Sequence, residues 1–271
     1  DNEIEETPEL IEECLQKIRS LMSDEGSYSR PKDDKFLLKF LRARKYNVDA
    51  TAETIRKYFK VKKDNPDIFN CFLPSHMLYD AVCRKNKLAA VSRHRDSCGR
   101  GVILFRSGPW DSSICSISEF IKASLILLEW LLLDEDVQKQ GIVIVLDYKG
   151  IGLEHLMHLT PFVMKKIVHI TEKCYPVRLK AIYVTNDSAV FDILFAITRP
   201  FMSGKLLDRV HLMGYEISDL LDILPSDVIP EEAGGTFESY DYDALEKDLL
   251  SRNDYFREMS QYGYAKENTH V

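Results

Sequence analysis

Hydrophobic residues recur at helical spacing through the first quarter of the chain. One apolar stripe is formed by Leu10, Ile11, Leu15, Ile18 and Leu21, which predicts a helix over residues 8–21. Asp33 or Asp34 begins a second predicted helix, and Asp49 begins a third that breaks at Pro66. Three short amphipathic helices predict a small bundle that needs support from the rest of the chain.

After about residue 85 the pattern changes to short apolar, β-branched runs separated by turns. Residues 88–92 and 102–105 predict two strands, and the polar, glycine-containing stretch 96–101 predicts a hairpin between them. The nearly continuous β-branched run 142–147 predicts a strand buried on both faces. Two further strands are predicted at residues 180–186 and 210–213.

Predicted helices alternate with these strands. Ser116 and Glu119 form a capping box before a long apolar helix that extends to about residue 137. Further helices are predicted over residues 160–174, 189–197 and, at the periphery, 242–262. Helices that alternate with strands predict an α/β layer with a mostly parallel sheet.

Composition and charge narrow the function classes. The 271 residues are 45% hydrophobic and 29% charged, which fits one large domain or a domain with a small helical companion. A net charge of −7 argues against general nucleic-acid binding. The most apolar run, residues 125–133, is too short to span a membrane and contains Glu129. The six cysteines lack CxxC spacing, which indicates reduced thiols in a cytoplasmic protein.

Motifs typical of catalysis are weak or absent. Gly150 and Gly152 follow a strand, but a histidine and a glutamate stand where a dinucleotide site needs its third glycine, so we interpret them as a turn. No P-loop or nucleophile elbow occurs. His155 and His158 have no acidic or cysteine neighbour apart from Glu154 and are interpreted as surface residues rather than metal ligands, and Cys174 as a half-buried structural thiol. No enzyme class, metal or cofactor is predicted.

The segment 189–197 is unusual because it is apolar on nearly every side. Only Asp192 interrupts it. A helix of this kind packs in the core, covers something else or meets a membrane, and core packing is the default interpretation. Neighbouring elements offer further apolar faces, formed by Ile121, Ser124, Leu125, Leu128, Ile142, Ile144, Leu146, Val163, Ile167 and Ile170.

One stretch of the first quarter has a specific counterpart in a known family. Residues 36–49, FLLKFLRARKYNVD, resemble the N-terminal helical signature of CRAL-TRIO lipid-transfer proteins. Other segments that match the family are Cys174–Ile182, Arg199–Phe201, Lys205–Arg209, Ile229–Pro230 and Gly234–Thr236. The similarity covers about residues 8–242, in the right order, and is greatest to the branch of the alpha-tocopherol transfer protein and the cellular retinaldehyde-binding protein.

The resemblance implies a domain organisation and a cavity. An N-terminal helical domain at 1–73 would precede a lipid-binding α/β domain at 74–242, with a peripheral helix and tail at 243–271. The sheet would floor a hydrophobic cavity closed by a gate helix from Ser188 to about Leu207. The implied cavity residues are Ile121, Ser124, Leu125, Leu128, Ile142, Ile144, Leu146, Ile167, Ile170, Tyr175, Phe191, Leu194, Thr198 and Met202. The apolar residues predicted to face outward and enter a bilayer are Val190, Ile193, Ile197 and Phe201.

The resemblance also implies a phosphoinositide site. Family members of this branch receive the headgroup on basic residues that correspond here to Arg178, Lys180, Lys205 and Arg209, with support from the Arg42 and Arg44 motif. Residues 178–209 hold five basic and three acidic side chains within an acidic chain. A basic charge near an anionic leaflet contributes about 1 kcal/mol. A solvated basic edge is the alternative, and Arg42 and Arg44 could instead form structural salt bridges.

These features predict a non-enzymatic, monomeric, cytoplasmic carrier. It would enclose one lipophilic molecule and exchange it at phosphoinositide membranes with transient membrane association. Leu128 replaces a serine of the tocopherol protein while Ser124 is kept, so the pocket is drier, and a retinoid, tocopherol-like prenol, carotenoid or sterol remains possible. The alternative is a phosphoinositide-binding trafficking adaptor with a permanently occupied cavity.

Overall fold

The N-terminal quarter is helical in the computed structural model, which describes residues 4–265. Its helices are α1 (Pro8–Leu21), α2 (Asp34–Ala43), α3 (Val48–Asp64) and α4 (Pro66–Phe69). The side chains of Thr7, Asp33 and Asn47 cap the first three by accepting backbone N–H groups. The predicted start of α3 at Asp49 was therefore one residue late: the helix begins at Val48 after the cap Asn47, and Asp49 lies in the first turn, where its charge favours the helix dipole.

A five-stranded sheet forms the centre of the molecule. Its strands are β1 (Ala89–Val91), β2 (Gly101–Arg106), β3 (Ile142–Asp147), β4 (Leu179–Thr185) and β5 (Val210–Leu212), and they lie side by side in that order. β1 is antiparallel to β2, and every other pair is parallel. This arrangement confirms the predicted α/β class with a mostly parallel sheet.

Further helices of the described chain pack around the sheet. They are α5 (Ile117–Leu131), α6 (Glu135–Gln140), α7 (Leu153–Leu156), α8 (Pro161–His169), α9 (Ala189–Thr198), α10 (Gly204–Leu207), α11 (Ser218–Ile223), α12 (Tyr242–Leu250) and α13 (Asn253–Met259). The predicted helix to residue 137 is split because the Asp134 carboxylate caps α6. α8 passes into a π-helical turn, Ile170–Cys174, and the predicted single C-terminal helix is two helices.

A buried polar cluster joins the N-terminal helices to α5. Tyr58 donates its hydroxyl hydrogen to one oxygen of Glu129, and Tyr175 donates to the other at 3.1 Å. Lys62 Nζ lies 3.7 Å from the same carboxylate and donates to the Tyr58 hydroxyl at 2.7 Å. Burial lowers the pKa values of Lys39 and Lys62, and the negative charge of Glu129 opposes both shifts. This Glu129 cluster ties the N-terminal helices to the sheet domain through buried contacts; the domain boundaries at 73 and 242 stay predictions.

Candidate functional site

An apolar cavity of about 270 Å³ lies between one face of the sheet and helices α5, α8 and α9. Its floor consists of alternate residues of three neighbouring strands: Ile103 and Phe105 on β2, Ile144 and Leu146 on β3, and Ile182 and Val184 on β4. Because alternate residues of a strand face the same side, one sheet face supplies the whole floor. The parallel register holds these residues in rows, with Ile103 beside Ile144 and Ile144 beside Ile182.

The structure brings most of the predicted cavity residues together. Those that line the cavity are Ile121, Ser124, Leu125, Leu128, Ile144, Leu146, Ile167, Ile170, Phe191, Leu194, Thr198 and Met202. Their contact with a ligand stays a prediction.

Two residues assigned to the cavity lie elsewhere. Ile142 is fully buried in the main core at the amino end of β3, where the pairing with β4 shifts register between Ile142 and Val143. Tyr175 follows the π-helical turn, and its hydroxyl donates to Glu129 on the side facing the N-terminal helices. Neither residue lines the cavity.

The structure adds lining residues that the sequence interpretation missed. Ile103, Phe105 and Tyr148 follow the alternation of β2 and β3, so the strand period could have identified them. Trp110 and His155 come from connecting segments and had no sequence signal. The sequence interpretation placed His155 on the surface, but the residue is buried. It accepts the Gly152 N–H at Nδ1 over 3.0 Å, which leaves Nε2 3.1 Å from the carbonyl of Gly108.

Most polar groups of the cavity wall are satisfied by the protein itself. Hydroxyl groups on the surrounding helices donate to the carbonyl four residues earlier: Ser124 to Phe120 (2.8 Å), Thr171 to Ile167 (2.9 Å) and Thr198 to Leu194 (2.7 Å). None of the described lining residues is an aspartate, glutamate, lysine or arginine. Since burying an unpaired charge is unfavourable, the cavity suits an uncharged, largely apolar molecule.

Helix α9 closes the cavity on one side. Its buried face presents Phe191, Leu194 and Thr198 to the cavity, and Ser188 caps its first turn. Of the residues predicted to face outward, Ile193 is 46% exposed, whereas Val190, Ile197 and Phe201 are half-buried. The half-buried residues pack against the cores, so the outer face of α9 is less exposed than predicted. That α9 moves as a gate stays a prediction.

Basic residues gather at the amino edge of the parallel strands, and we refer to this group of residues as the basic cleft. Arg178 and Lys180 stand at the start of β4, Arg209 immediately precedes β5, and Lys205 is on α10. Burial and then the neighbouring arginines lower the pKa values of Lys180 and Lys205. Gly141 has a φ of +97°, and a Cβ there would meet the Arg178 carbonyl oxygen at 2.5 Å, so only glycine fits beside the start of β4.

Comparison with known proteins agrees with this architecture. The family model described as "CRAL/TRIO domain" matches residues 85–235, and the model "CRAL/TRIO, N-terminal domain" matches residues 6–57. The chain belongs to the CRAL-TRIO family. The resemblance noted from the sequence is thereby confirmed.

Individual CRAL-TRIO relatives align over almost all of the chain. The Homo sapiens protein named alpha-tocopherol transfer protein-like is 35% identical over 261 residues, which cover 96% of this chain and 75% of that protein. Clavesin-1 of Rattus norvegicus is 26% identical over 97% of this chain and 76% of its own. The crystal structure of Sfh5 matches with a TM-score of 0.60 at 14% identity, covering 95% of this chain and 98% of that one, and so supports the fold alone.

The arginine motif of this CRAL-TRIO protein forms internal contacts. Arg42 donates to both carboxylate oxygens of Glu6, at 3.0 and 2.8 Å, and to the side-chain oxygen of Gln138 at 2.8 Å. Arg44 donates to the Thr54 hydroxyl at 2.8 Å and to the carbonyls of Glu172 and Tyr175, both at 3.3 Å. Both guanidinium groups thus hold N-terminal helices against the sheet domain, and headgroup contact by either stays a prediction.

Exposed apolar residues lie on the segment next to α9, and we call them the exposed apolar patch. Leu153, Met157 and Phe162 are 65%, 78% and 71% exposed. Leu156 and Leu159, from the same segment, pack against the cluster beneath α9, and α8 contacts α9 directly. Within residues 4–265, no helix is long and apolar enough to cross a bilayer, and no group of three metal-ligating side chains forms.

Proposed function

We propose that this CRAL-TRIO protein is a non-enzymatic carrier that encloses one lipophilic molecule beneath α9 and exchanges it at phosphoinositide-containing membranes. The observation that carries the proposal is the apolar cavity, floored by alternate residues of three strands and closed by α9. The name of the alpha-tocopherol transfer protein-like relative supports transfer of a lipophilic cargo. The six cysteines are free, which fits a monomer acting in the reducing cytoplasm.

The hydrophobic effect gives the cavity its affinity. Each Å² of apolar surface removed from water contributes about 25 cal/mol to binding. Enclosing a lipid removes both the lipid surface and the surface of the cavity lining from water. The same term favours closure of α9 over an occupied cavity, because an open position would expose Phe191 and Leu194 to water. Exchange therefore requires a surface that replaces water around the opened helix, such as a bilayer.

The proposed gate segment, residues 188–207, has different surface features at its two ends. α9 follows the carboxyl end of β4, and α7 follows the carboxyl end of the parallel strand β3, so both begin near the same edge of the sheet. After α9 the chain returns through α10 to the amino end of β5. The exposed apolar patch therefore lies near the beginning of α9, and the basic cleft lies beside its end. A membrane that binds both would hold the gate segment at each end.

The function is tested by ligand transfer between vesicles. Retinol and α-tocopherol serve as probes, with phosphatidylcholine donor vesicles and acceptors that either contain or lack phosphoinositide. We expect the protein to accelerate transfer of at least one probe, and more strongly to acceptors that contain phosphoinositide. Vesicle binding without movement of either probe would contradict the carrier and support the adaptor alternative.

Replacing Met157 and Phe162 with aspartate should slow this transfer about tenfold or more. Both side chains are highly exposed, so the change removes apolar membrane contact and adds charge without disturbing the core. Uptake of retinol in solution should stay unchanged, as measured by retinol fluorescence. Leu250→Asp on α12 is the matched control, since Leu250 is also exposed. Equal transfer rates for the double variant and the control would exclude the patch from membrane contact.

A further inference from the structure

The hydroxyl group of the cavity residue Tyr148 has no hydrogen-bond partner in the described part of the chain. Tyr148 lies two residues after Leu146 and continues the series of β3 side chains that line the cavity. Its side chain is in the core, the residue being only 9% exposed, and its backbone N–H donates to the Thr185 carbonyl at 3.0 Å. Within residues 4–265, its phenolic oxygen makes no hydrogen bond, unlike the hydroxyls of the surrounding helices. The ring is largely removed from water, so a ligand group that hydrogen-bonds this hydroxyl would supply a partner that the protein does not.

The adjacent strand places a second hydroxyl nearby. Ser107 follows β2 as Tyr148 follows β3, one position beyond the paired residues Arg106 and Asp147. The Ser107 N–H donates to the Asp147 carbonyl at 3.3 Å, and Ser107 also lines the cavity. The carboxyl edge of the floor is therefore polar, whereas the rest of the floor is hydrocarbon.

The phenol of Tyr148 lies beneath the beginning of the gate helix. Its ring centroid is 4.9 Å from that of Phe191, with the planes inclined by 41°. Burial raises the pKa of Tyr148 to about 12, so the hydroxyl is neutral near pH 7 and able both to donate and to accept. A group bound there would sit next to the first turn of α9.

We infer that Tyr148, with Ser107 beside it, is the polar anchor of the cavity and binds the oxygen-bearing end of the lipid. This inference rests on the proposed carrier function. The ligand class it assigns is an uncharged lipid with a hydroxyl or carbonyl group at one end of a hydrocarbon body. Lipids with a carboxylate or phosphate headgroup are disfavoured, because no described lining residue carries an opposite charge.

The test compares a lipid alcohol with a related hydrocarbon of nearly the same size. All-trans-retinol carries a terminal hydroxyl, and anhydroretinol is the corresponding hydrocarbon; both are fluorescent. Tyr148→Phe keeps the ring against Phe191 and removes only the hydroxyl. We expect it to weaken retinol binding about three- to tenfold, as for loss of one neutral hydrogen bond, and to leave anhydroretinol binding unchanged.

The matched control is Tyr183→Phe on β4. Tyr183 lies between the floor residues Ile182 and Val184, so its side chain faces the opposite side of the sheet, where it stacks on His211. This variant should bind both lipids like the wild type. Equal loss for both lipids in Tyr148→Phe, or no loss for either, would overturn the anchor while leaving the carrier intact. A wild-type protein that binds neither lipid would contradict the carrier function itself.

Discussion

Replacing Glu129 with alanine should lower the free energy of unfolding by about 3–5 kcal/mol, the range for removing one member of a buried ionic pair. The carboxylate accepts from Tyr58 and Tyr175 and is the counter-charge for Lys62. Alanine leaves these groups buried without their partner, and it also leaves a void between α5 and the N-terminal helices. Urea unfolding followed by circular dichroism measures the difference.

Two further variants separate the charge from the general effect of changing a glutamate. Glu129→Gln keeps the volume and one acceptor oxygen, so we expect a smaller loss than for alanine. It removes the charge facing Lys62 and the acceptor for one of the two tyrosine hydroxyls. Glu135→Ala, at an exposed position on α6, should change the unfolding free energy by less than about 0.5 kcal/mol. A loss in Glu129→Ala no larger than in Glu135→Ala would show that the cluster does not stabilise the fold.

The Glu129 cluster also shows why some of the structure could not be predicted. In the sequence, Glu129 only interrupts an apolar run, which is evidence against a membrane span. Its partners Tyr58 and Tyr175 are 71 and 46 residues away, and nothing local marks them. Tyr175 was assigned to the cavity through the family resemblance alone. It follows a π-helical turn that the helical period does not reveal, and its hydroxyl donates to Glu129 instead.

The local elements of the fold could be predicted because their causes are local. The capping box of Ser116 and Glu119 fixes the start of α5, and the β-branched run 142–147 forms β3. The strand period also placed Ile144 and Leu146 on the cavity face. It does not show where along the strand the cavity ends: Ile142 has the same period but is buried in the main core beyond the cavity. Applied one step further, the same period would have included Tyr148.

The basic cleft is the other feature that depends on several strands. Arg178 and Lys180 lie at the start of β4, before α9, whereas Lys205 and Arg209 follow α9. The parallel topology brings the starts of β4 and β5 to one edge of the sheet. The Ile182 N–H donates to the Arg209 carbonyl at 2.8 Å, which holds Arg209 beside β4. Motion of the segment between these strands would therefore displace Lys205 relative to a fixed strand edge. If the basic cleft binds a headgroup, this geometry would link that binding to the position of the segment 188–207.

Replacing Lys205 and Arg209 with alanine should weaken binding to phosphoinositide vesicles about 30-fold, because each basic charge near an anionic surface contributes about 1 kcal/mol. Glutamate at both positions adds repulsion, and the expected loss rises to about 1000-fold. Neither side chain lines the cavity, so retinol uptake in solution should be unchanged. Vesicle co-sedimentation at several salt concentrations measures the affinity, and the difference from the wild type should shrink as salt screens the charges.

A matched control keeps the change in net charge and moves it to another surface. Lys247 and Arg252 are exposed near the C-terminal end of the chain, so Lys247→Glu with Arg252→Glu alters the total charge equally. If the cleft binds the headgroup, this pair loses far less affinity than the pair at Lys205 and Arg209. Equal losses would show that vesicles respond to net charge alone, and unchanged affinity in both pairs would place headgroup binding elsewhere on the protein. Loss confined to the cleft, with transfer slowed in proportion, would support membrane binding at the end of the gate segment as a step of ligand exchange.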